Sequence, residues 1–295
     1  MTQAKKRREP TVAITGAGSG LGRELALGFS AKGYRVFGTS QSANETAEFQ
    51  NQSAGIGEIT LTITDITKEE QVNNWKEQVR KLLNDGDGLD LLINNAGVLT
   101  PGPMEVLSLS AVRHEFEVNV FGTLTTIHTF LPLLRQAKGR IVQIGSMTGR
   151  FPLPFSGPSS ASKAAMEAFA DVYRTELKPF GIDFIMVQPG ALLTGGPAKT
   201  AAQLKQVSEN MTVEQKKLYG KYFDQFTTAL YKMQNAGLPA SEAAARIIEI
   251  SEQVSAPIRA PVGKDAEELL RAVREKSDIE LDRMKAQIFG LNELK

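Results

Sequence analysis

The segment TVAITGAGSGLG occupies residues 11–22. Its first five residues, Thr11–Thr15, are β-branched or apolar and predict a buried strand. A glycine-rich turn follows, and Leu21, Leu25 and Phe29 then recur at helical spacing. Glycine lets the backbone turn tightly and approach a pyrophosphate, whose charge is stabilised by the first N–H groups of the helix. A strand, a glycine turn and a helix in this order therefore predict a phosphate-binding loop.

Short apolar runs alternate with longer helix-prone segments along most of the chain. The predicted strands are Thr11–Thr15, Arg35–Ser40, Gly57–Thr64, Leu89–Ile93, Arg140–Gly145 and Asp183–Val187, with a short strand around Ile258–Val262. The predicted helices include those through Trp75 and Val79, at about 103–117, 120–136 and 159–178, and near 240–254. This alternation is typical of a parallel sheet covered by helices on both faces. Right-handed crossovers then give the strand order 3-2-1-4-5-6 of a doubly wound, Rossmann-like α/β fold.

The chain is predicted to form one enlarged domain over residues 11–295, preceded by a flexible basic tail at 1–10. Residues 196–235 are helix-prone, contain no predicted strand and carry five aromatic side chains. Two interpretations of this insertion stay open: a lid over the substrate, or ordinary helical packing. The chain is predicted to end in one helix, opened by a capping box between Asp265 and Glu268.

Composition excludes several classes of function. The 34 Lys and Arg residues balance the 33 Asp and Glu residues, so a net charge of +1 offers no surface for nucleic acid. The absence of cysteine excludes disulfides and thiolate chemistry, and His114 and His128 alone are too few for a histidine-rich metal site. No apolar run approaches the roughly 20 residues that span a bilayer. We therefore expect a cytoplasmic protein without a metal, a nucleic-acid partner or a membrane span.

The pattern Thr-Gly-x-x-x-Gly-x-Gly at residues 15–22 resembles that of the short-chain dehydrogenase/reductase family. The resemblance extends over nearly all of residues 11–195, through motif positions in the family order. These positions are Asp65, Asn94–Gly97, Asn119, Ser146, Lys163, Pro189, Gly190 and Thr194. It implies an oxidoreductase that interconverts a carbonyl and a secondary alcohol by hydride transfer with a nicotinamide dinucleotide.

The resemblance also assigns cofactor-binding positions. They are Gly16, Gly18, Ser19, Gly20, Leu21 and Gly22 in the loop, Ser40, Asp65 and Ile66 at the adenosine end, Asn95, Ala96 and Gly97 beside it, and Lys163, Pro189, Gly190 and Thr194 towards the nicotinamide.

The choice of cofactor is predicted from charge at the end of the second strand. An acid there would hydrogen-bond the ribose of NAD and repel the extra phosphate of NADP. This position falls near Ser40, and no Asp or Glu occurs from Tyr34 to Asn44. The sequence therefore favours NADP(H) over NAD(H), although Gln41 stands where NADP-binding relatives often place Arg.

The catalytic set implied by the family is Asn, Ser, Tyr and Lys, and this chain lacks the Tyr. Asn119, Ser146 and Lys163 match, but the residue four before Lys163 is Ser159. A Tyr at that spacing shares a helical face with the Lys, whose charge lowers the phenol pKa for acid/base work. A serine is shorter and a far weaker acid, so the rate would fall by about 10²–10⁴.

Two interpretations of the function therefore stay open. One is an NADP(H)-dependent oxidoreductase with doubtful activity or an unusual proton donor, such as a tyrosine from 196–235 or an ordered water. The other is a dinucleotide-binding protein of the same fold, impaired naturally or inactivated by engineering. The substrate pocket is expected to be apolar, because apolar residues flank the motifs, although they could equally belong to the core. These are Leu99, Pro101, Phe151, Leu153 and Phe155. A homo-oligomer through the helices from 120 and 159 is expected by analogy with relatives.

Overall fold

A computed structural model of the chain describes residues 8–52, 57–194 and 196–291. Its strands are β1 (Thr11–Ile14), β2 (Arg35–Ser40), β3 (Ile59–Ile63), β4 (Leu91–Asn94), β5 (Arg140–Ile144), β6 (Asp183–Pro189), β7 (Leu192–Leu193), β8 (Leu238–Pro239) and β9 (Arg259–Val262). Seven of them form one parallel sheet in the order β3-β2-β1-β4-β5-β6-β9. The predicted doubly wound order is confirmed, and β9 extends it by one edge strand.

Eleven α-helices occur in the described residues. They are α1 (Gly20–Ala31), α2 (Ala43–Gln52), α3 (Glu69–Leu82), α4 (Leu109–Phe116), α5 (Thr123–Ala137), α6 (Gly157–Leu177), α7 (Gly196–Asn210), α8 (Val213–Asn235), α9 (Ala240–Glu252), α10 (Lys264–Glu275) and α11 (Asp278–Ile288). Helices α1 and α9 pack on one face of the sheet, where Leu25 and Phe29 are fully buried. Helices α3, α5 and α6 pack on the other face around Trp75 and Phe130. The apolar stripes of these helices pack on both faces of the sheet and therefore produce the predicted arrangement of three layers.

A third hydrophobic cluster lies beside the sheet rather than on it. It joins α7, α8, α10 and α11 to the segment around Phe151, with Phe223, Phe226 and Phe289 fully buried. The short strands β7 and β8 pair with each other, so the chain leaves the main body and returns to it at adjacent points. Because Phe223 and Phe226 are buried in this cluster, they pack against its apolar side chains rather than face a ligand.

A π-helical turn at Glu117–Gly122 joins α4 to α5 without a break. The sequence predicts two helices, from about 103 and from 120, and both boundaries differ. The first begins later because the Ser108 hydroxyl caps α4 by accepting from the backbone N–H of Ala111 at 3.2 Å. Turns of this kind often occur at functional positions, and this one carries Asn119, one of the predicted catalytic residues.

Three local predictions were incomplete. Helix α2, between β2 and β3, was not predicted. The predicted capping box at Asp265 is wrong, because Gly263 precedes α10 and the Asp265 carboxylate accepts from the backbone N–H of Ala191 at 2.7 Å. The end of the chain forms two helices rather than one, and the capping box lies between Ser277 and Glu280 at the start of α11.

The predicted basic tail is described only in part. Residues 1–7 lie outside the described residues, while Arg8 pairs with Asp90 at 2.6 Å and with Asp87 at 3.6 Å. Residue 195, immediately before the predicted insertion at 196–235, is also outside them. No helix in the described part of the chain is long and apolar enough to cross a membrane.

Candidate functional site

The carboxyl ends of the central strands open onto a cleft of about 760 Å³. The glycine loop, the end of β2 and the residues after β4 line one side of it. Side chains of α7 and α8, including Gln203, Leu230 and Met233, line the other. Ligands of open parallel sheets bind at this edge, where the strand order reverses.

The glycine loop is shaped for close approach of a ligand to the backbone. Gly16 and Gly20 adopt φ angles of +65° and +55°, a region that other residues rarely occupy. A Cβ at Gly22 would lie 2.1 Å from the carbonyl oxygen of Gly16, and one at Gly18 would lie 2.6 Å from the hydroxyl of Ser40. Any side chain at these positions would displace the loop, which explains the glycines that the sequence shows there.

The segment after β4 holds the loop in place. The Asn95 side chain donates to the carbonyl oxygens of Thr15 and Gly16 at 3.0 and 3.1 Å. In return, the Thr15 hydroxyl accepts the backbone N–H groups of Asn95 and Ala96 at 2.9 and 3.0 Å. The predicted positions Asn95, Ala96 and Gly97 all line the cleft.

The expected adenosine end lies between β2 and β3. Ser40 and Ile66 line the cleft, with Asp65 beside Ile66 in the chain. Burial raises the pKa of Asp65, but hydrogen bonds from the backbone and hydroxyl of Thr67 and from the Gln41 side chain outweigh it and lower the pKa. Asp65 is therefore ionised and anchored to its own turn.

An acid that sequence analysis missed lies at the same end. Glu45, in the first turn of α2, lines the cleft, and its carboxylate is 3.2 Å from the hydroxyl of Ser40. A Cβ at Gly18 would lie 3.3 Å from that carboxylate. Because the sequence argument ended at Asn44 and α2 was not predicted, the helix that brings this charge to the end of β2 was overlooked.

The expected nicotinamide end lies after β6. A Cβ at Gly190, which follows Pro189, would lie 2.1 Å from the Asp265 carboxylate, so only glycine fits there. Thr194 approaches Gly20 to within 3.7 Å of where a Cβ would stand. The loop after β6 therefore approaches the start of α1. A single extended ligand in the cleft can contact both segments.

These features fit a dinucleotide. The cleft wall at the start of α1 is backbone, and the Ser19 side chain does not cap that helix, so its first N–H groups are left for an anion. Residues that would hold the adenosine, the pyrophosphate and the nicotinamide follow one another along the cleft.

Three of the four predicted catalytic residues line the cleft. They are Ser146, Ser159 and Lys163. The Ser146 hydroxyl accepts from the backbone N–H and the hydroxyl of Thr148 at 3.1 and 3.0 Å, which leaves its own proton for another acceptor. Thr148, which sequence analysis did not single out, therefore orients Ser146.

Asn119 lies behind the cleft wall. Its amide accepts the backbone N–H of Val98 at 2.8 Å and donates to the carbonyl oxygen of Val98 at 2.9 Å. It also donates to the hydroxyl of Ser162 at 3.0 Å. The π-turn thereby ties the segment after β4 to α6, so that Ser159 and Lys163 are held against the cleft.

Lys163 is positioned by its backbone partner. Its ammonium donates to the carbonyl oxygen of Ile144 at 3.1 Å. Desolvation lowers the pKa of Lys163 to about 8, while the charge of Glu115 opposes the shift. The site therefore disfavours the charged form relative to the unfolded chain.

We expect Lys163→Met to stabilise the fold at pH 7. The folded pKa of about 8 lies below the unfolded 10.5, so the destabilisation is fully present below pH 8 and disappears as the pH rises towards 10.5. Cleft water weakens the penalty, and we expect the free energy of unfolding to rise by about 1–2 kcal/mol. Urea unfolding of both proteins should show the difference at pH 7 and its loss near pH 10. A difference independent of pH would contradict the buried charge as its cause.

A second acid missed by sequence analysis lies behind Ser159. Glu115, on α4, is fully buried, at 0% exposure. Its carboxylate accepts the backbone N–H of Thr100 at 2.8 Å and the Asn119 amide at 3.3 Å. Burial raises the pKa of the Glu115 carboxyl. The spacing of four residues between Glu115 and Asn119 on one helical face was the available signal.

The substitute tyrosine considered from the sequence does not reach the site. All five tyrosines are described, and none lines the cleft. Tyr219 donates to Glu105, and Tyr173 hydrogen-bonds His128 at 2.7 Å.

Of the expected pocket residues, Leu99 and Leu153 line the cleft, whereas Phe151 and Phe155 belong to the third hydrophobic cluster, and Pro101 is buried outside the lining.

In the described part of the chain, no three His, Asp or Glu side chains are grouped so that they could hold a metal ion.

Comparison with known proteins agrees with this geometry. The family model for short chain dehydrogenases matches residues 10–205. The mitochondrial D-beta-hydroxybutyrate dehydrogenase of Mus musculus is 33% identical over 250 residues, covering 80% of this chain and 71% of the relative. NADPH-dependent 3-dehydrocapnine reductase of Ornithobacterium rhinotracheale is 30% identical over 243 residues, covering 80% of this chain and 82% of the relative.

Solved structures share the fold. A short-chain dehydrogenase from Burkholderia cenocepacia in complex with NADP superposes with a TM-score of 0.70 at 25% identity, over 95% of this chain and 98% of that one. A short-chain dehydrogenase from Streptomyces avermitilis has a TM-score of 0.72 at 23% identity, over 100% of this chain and 98% of that one. Motifs, fold and relatives agree: this chain belongs to the short-chain dehydrogenase/reductase family.

Proposed function

We propose that this chain is a nicotinamide-dinucleotide oxidoreductase that interconverts a carbonyl and a secondary alcohol. The observation that carries the proposal is that Ser146, Ser159 and Lys163 line the same cleft as the glycine loop. When bound, the dinucleotide supplies or accepts the hydride. The Ser146 hydroxyl, oriented by Thr148, donates a hydrogen bond to the substrate oxygen, and Lys163 binds the ribose next to the nicotinamide.

A second candidate function is supported by Ser159. With no tyrosine lining the cleft among the described residues, a dinucleotide-binding protein with little turnover fits the same fold. Whether impaired naturally or by engineering, such a protein would bind the cofactor without oxidising it.

The substrate is proposed to be apolar. Apolar side chains that offer few hydrogen-bond partners line the cleft, among them Leu99, Met147, Leu153, Leu230 and Met233. Side chains of α7 and α8 form one wall, which supports the interpretation of residues 196–235 as a substrate lid.

Self-association and location are also proposals. Phe121, Phe169 and Val172 are exposed on the π-turn and α6, and apolar side chains of this kind favour a homo-oligomer through these helices. We propose the cytoplasm as the location.

For the cofactor, the structure adds a charge that opposes the expectation of NADP(H). A carboxylate at the end of β2 accepts hydrogen bonds from ribose hydroxyls and repels a 2′-phosphate. Glu45 stands there beside Ser40, and Lys163 is the only Lys or Arg lining the described cleft. We therefore propose NAD(H) as the preferred cofactor.

Glu45→Gln should raise the affinity for NADPH about five- to tenfold, because it removes one repulsive charge worth about 1 kcal/mol near the surface. The affinity for NADH should change by no more than about twofold. Fluorescence titration with both cofactors measures the effect, and Glu48→Gln, an exposed acid on the same helix, is the matched control. Tighter binding of NADPH than NADH by the unsubstituted chain would instead support the expectation from the sequence.

The proposed oxidoreductase is tested by following NADH oxidation over a panel of apolar ketones. Saturable binding of the cofactor with turnover of at least one ketone is expected. Binding of the cofactor without turnover by this chain would favour the second candidate, and turnover by Ser159→Tyr would then assign the loss of activity to Ser159.

A further inference from the structure

The segment after β6, at the expected nicotinamide end of the cleft, is held in place by residues from later in the chain. The backbone N–H of Gly190 donates to the carbonyl oxygen of Val262 at 3.0 Å. The carbonyl oxygen of Ala191 accepts the backbone N–H of Leu238 at 2.9 Å. The N–H of Ala191 donates instead to a side chain, the Asp265 carboxylate, at 2.7 Å. This last contact is the one that a substitution can remove.

Two glycines leave room for the Asp265 carboxylate. A Cβ at Gly190 would lie 2.1 Å from its Oδ1, and the three nearest heavy atoms that this Cβ would meet all belong to Asp265. A Cβ at Gly263 would lie 2.7 Å from the same oxygen. The backbone therefore approaches the carboxylate closely on two sides, where no side chain fits.

Stabilisation of its own helix does not account for the placement of Asp265. It lies in the first turn of α10, where an acid stabilises the helix through the dipole. Glu267 lies in the same turn and does this from an exposed position. The Asp265 carboxylate instead accepts a backbone N–H that lies 74 residues earlier in the chain. Its contact is with the cleft segment rather than with α10.

Helix α10 joins this contact to the third hydrophobic cluster. Ala266 and Leu270, which follow Asp265 on the helix, are buried in that cluster. Leu153 and Leu230 belong to the same cluster and also line the cleft. Asp265 therefore connects the apolar wall of the cleft to the segment expected to bind the nicotinamide.

We propose that Asp265 is a positioning residue for the nicotinamide end of the dinucleotide. By accepting the Ala191 N–H, it fixes Gly190 and Ala191, which line the cleft, in the position that binds the nicotinamide. A hydrogen bond to a carboxylate is stronger than one between neutral groups, so it restrains the segment firmly. The glycine loop has its own anchor in the Asn95 side chain. This inference rests on the proposed function, because it requires a nicotinamide dinucleotide as the ligand.

The test compares NADH with ADP-ribose, which is the dinucleotide without its nicotinamide. Asp265→Ala should weaken NADH binding about tenfold, because the segment loses a hydrogen bond to a charged group. The affinity for ADP-ribose should change by no more than about twofold, since the anchor of the glycine loop is intact. Isothermal titration calorimetry on the full chain measures both affinities. An equal loss for the two ligands would show a general role in the fold and would overturn the inference.

Two further variants control this test. Asp265→Asn keeps a side-chain oxygen that accepts the Ala191 N–H, and it should restore most of the NADH affinity lost in Asp265→Ala. Glu267→Gln removes the exposed acid of the same helical turn and should change neither affinity. If Asp265→Asn bound NADH as weakly as Asp265→Ala, the hydrogen bond to Ala191 would not be the cause.

Gly190→Ala tests the same contact from the other side. The backbone of Gly190 lies outside the left-handed region, so an alanine there meets the carboxylate and not a backbone restriction. Gly190→Ala should weaken NADH binding about tenfold in the unsubstituted chain. In a chain that already carries Asp265→Ala it should cost little more, because residues in contact do not act additively. Losses that multiply in the double variant would overturn the inference.

The same titrations separate failure of this inference from failure of the proposed function. If Asp265→Ala binds NADH as tightly as the unsubstituted chain does, the inference is wrong and the proposed function stands. If the unsubstituted chain binds neither NADH nor ADP-ribose, the proposed function is wrong and the inference fails with it.

Discussion

Ser159→Tyr should raise kcat for carbonyl reduction by about 10²–10⁴. No tyrosine lines the described part of the cleft, so the unsubstituted chain has no phenol to donate the proton. The new phenol lies four residues before Lys163 on the same face of α6, and the lysine charge lowers the phenol pKa. Single-turnover oxidation of NADH with a saturating ketone measures the change.

Ser159→Phe is the matched control for this prediction. It adds a ring of nearly the same volume to the cleft of about 760 Å³ but supplies no hydroxyl. If Ser159→Phe gained as much as Ser159→Tyr, the effect would come from the shape of the cleft and not from proton donation. If Ser159→Tyr gave no gain, the missing phenol would not be what limits the rate.

Ser146→Ala should lower kcat/KM for carbonyl reduction by about 10²–10³, the range found when one donor to a developing oxyanion is removed. The Ser146 hydroxyl accepts two hydrogen bonds from Thr148, so its proton points to another partner, and the cleft is where that partner binds. The loss should appear mainly in kcat, because the hydrogen bond strengthens as charge develops on the substrate oxygen. Steady-state kinetics with one ketone is the measurement.

Thr148→Val tests whether Ser146 needs its neighbour. Valine keeps the shape of threonine and the backbone N–H that donates to Ser146, but it removes the hydroxyl donor. We expect a loss of about tenfold, smaller than for Ser146→Ala, because one of the two orienting bonds remains. If Ser146→Ala retained full activity, the role of Ser146 as the donor to the substrate oxygen would be wrong.

Much of the sheet could be predicted because its strands are short apolar runs with clear ends. Buried parallel strands such as β1 and β5 have no polar face to obscure the pattern. The glycine loop could also be predicted, since the backbone geometry at Gly16 and Gly22 permits no other residue. These features depend on neighbours in the sequence, which is why the sequence suffices.

The two acids at the site depend instead on distant neighbours. Glu115 is buried because α6, which begins more than forty residues later, packs beside α4. Glu45 matters because a helix that was not predicted turns its carboxylate back to Ser40. Charge alone made both residues look like ordinary exposed acids, and only their placement in the tertiary structure distinguishes them.

The π-turn explains part of the site in the same way. It changes the helical repeat that the sequence pattern assumes. The predicted boundary between two helices at 117–120 therefore falls where the helical structure continues. The identities of Asn119 and Ser146 were nevertheless recognisable from their motifs.

The separate hydrophobic cluster of α7, α8, α10 and α11 has a consequence for the way the cleft opens. Its buried side chains are largely distinct from those on the two sheet faces, and β7 and β8 close the excursion where it leaves the main body. Such a cluster can unfold locally without unfolding the sheet. The part of the molecule formed by α7, α8, α10 and α11 can thus open locally while the sheet and the glycine loop keep their structure.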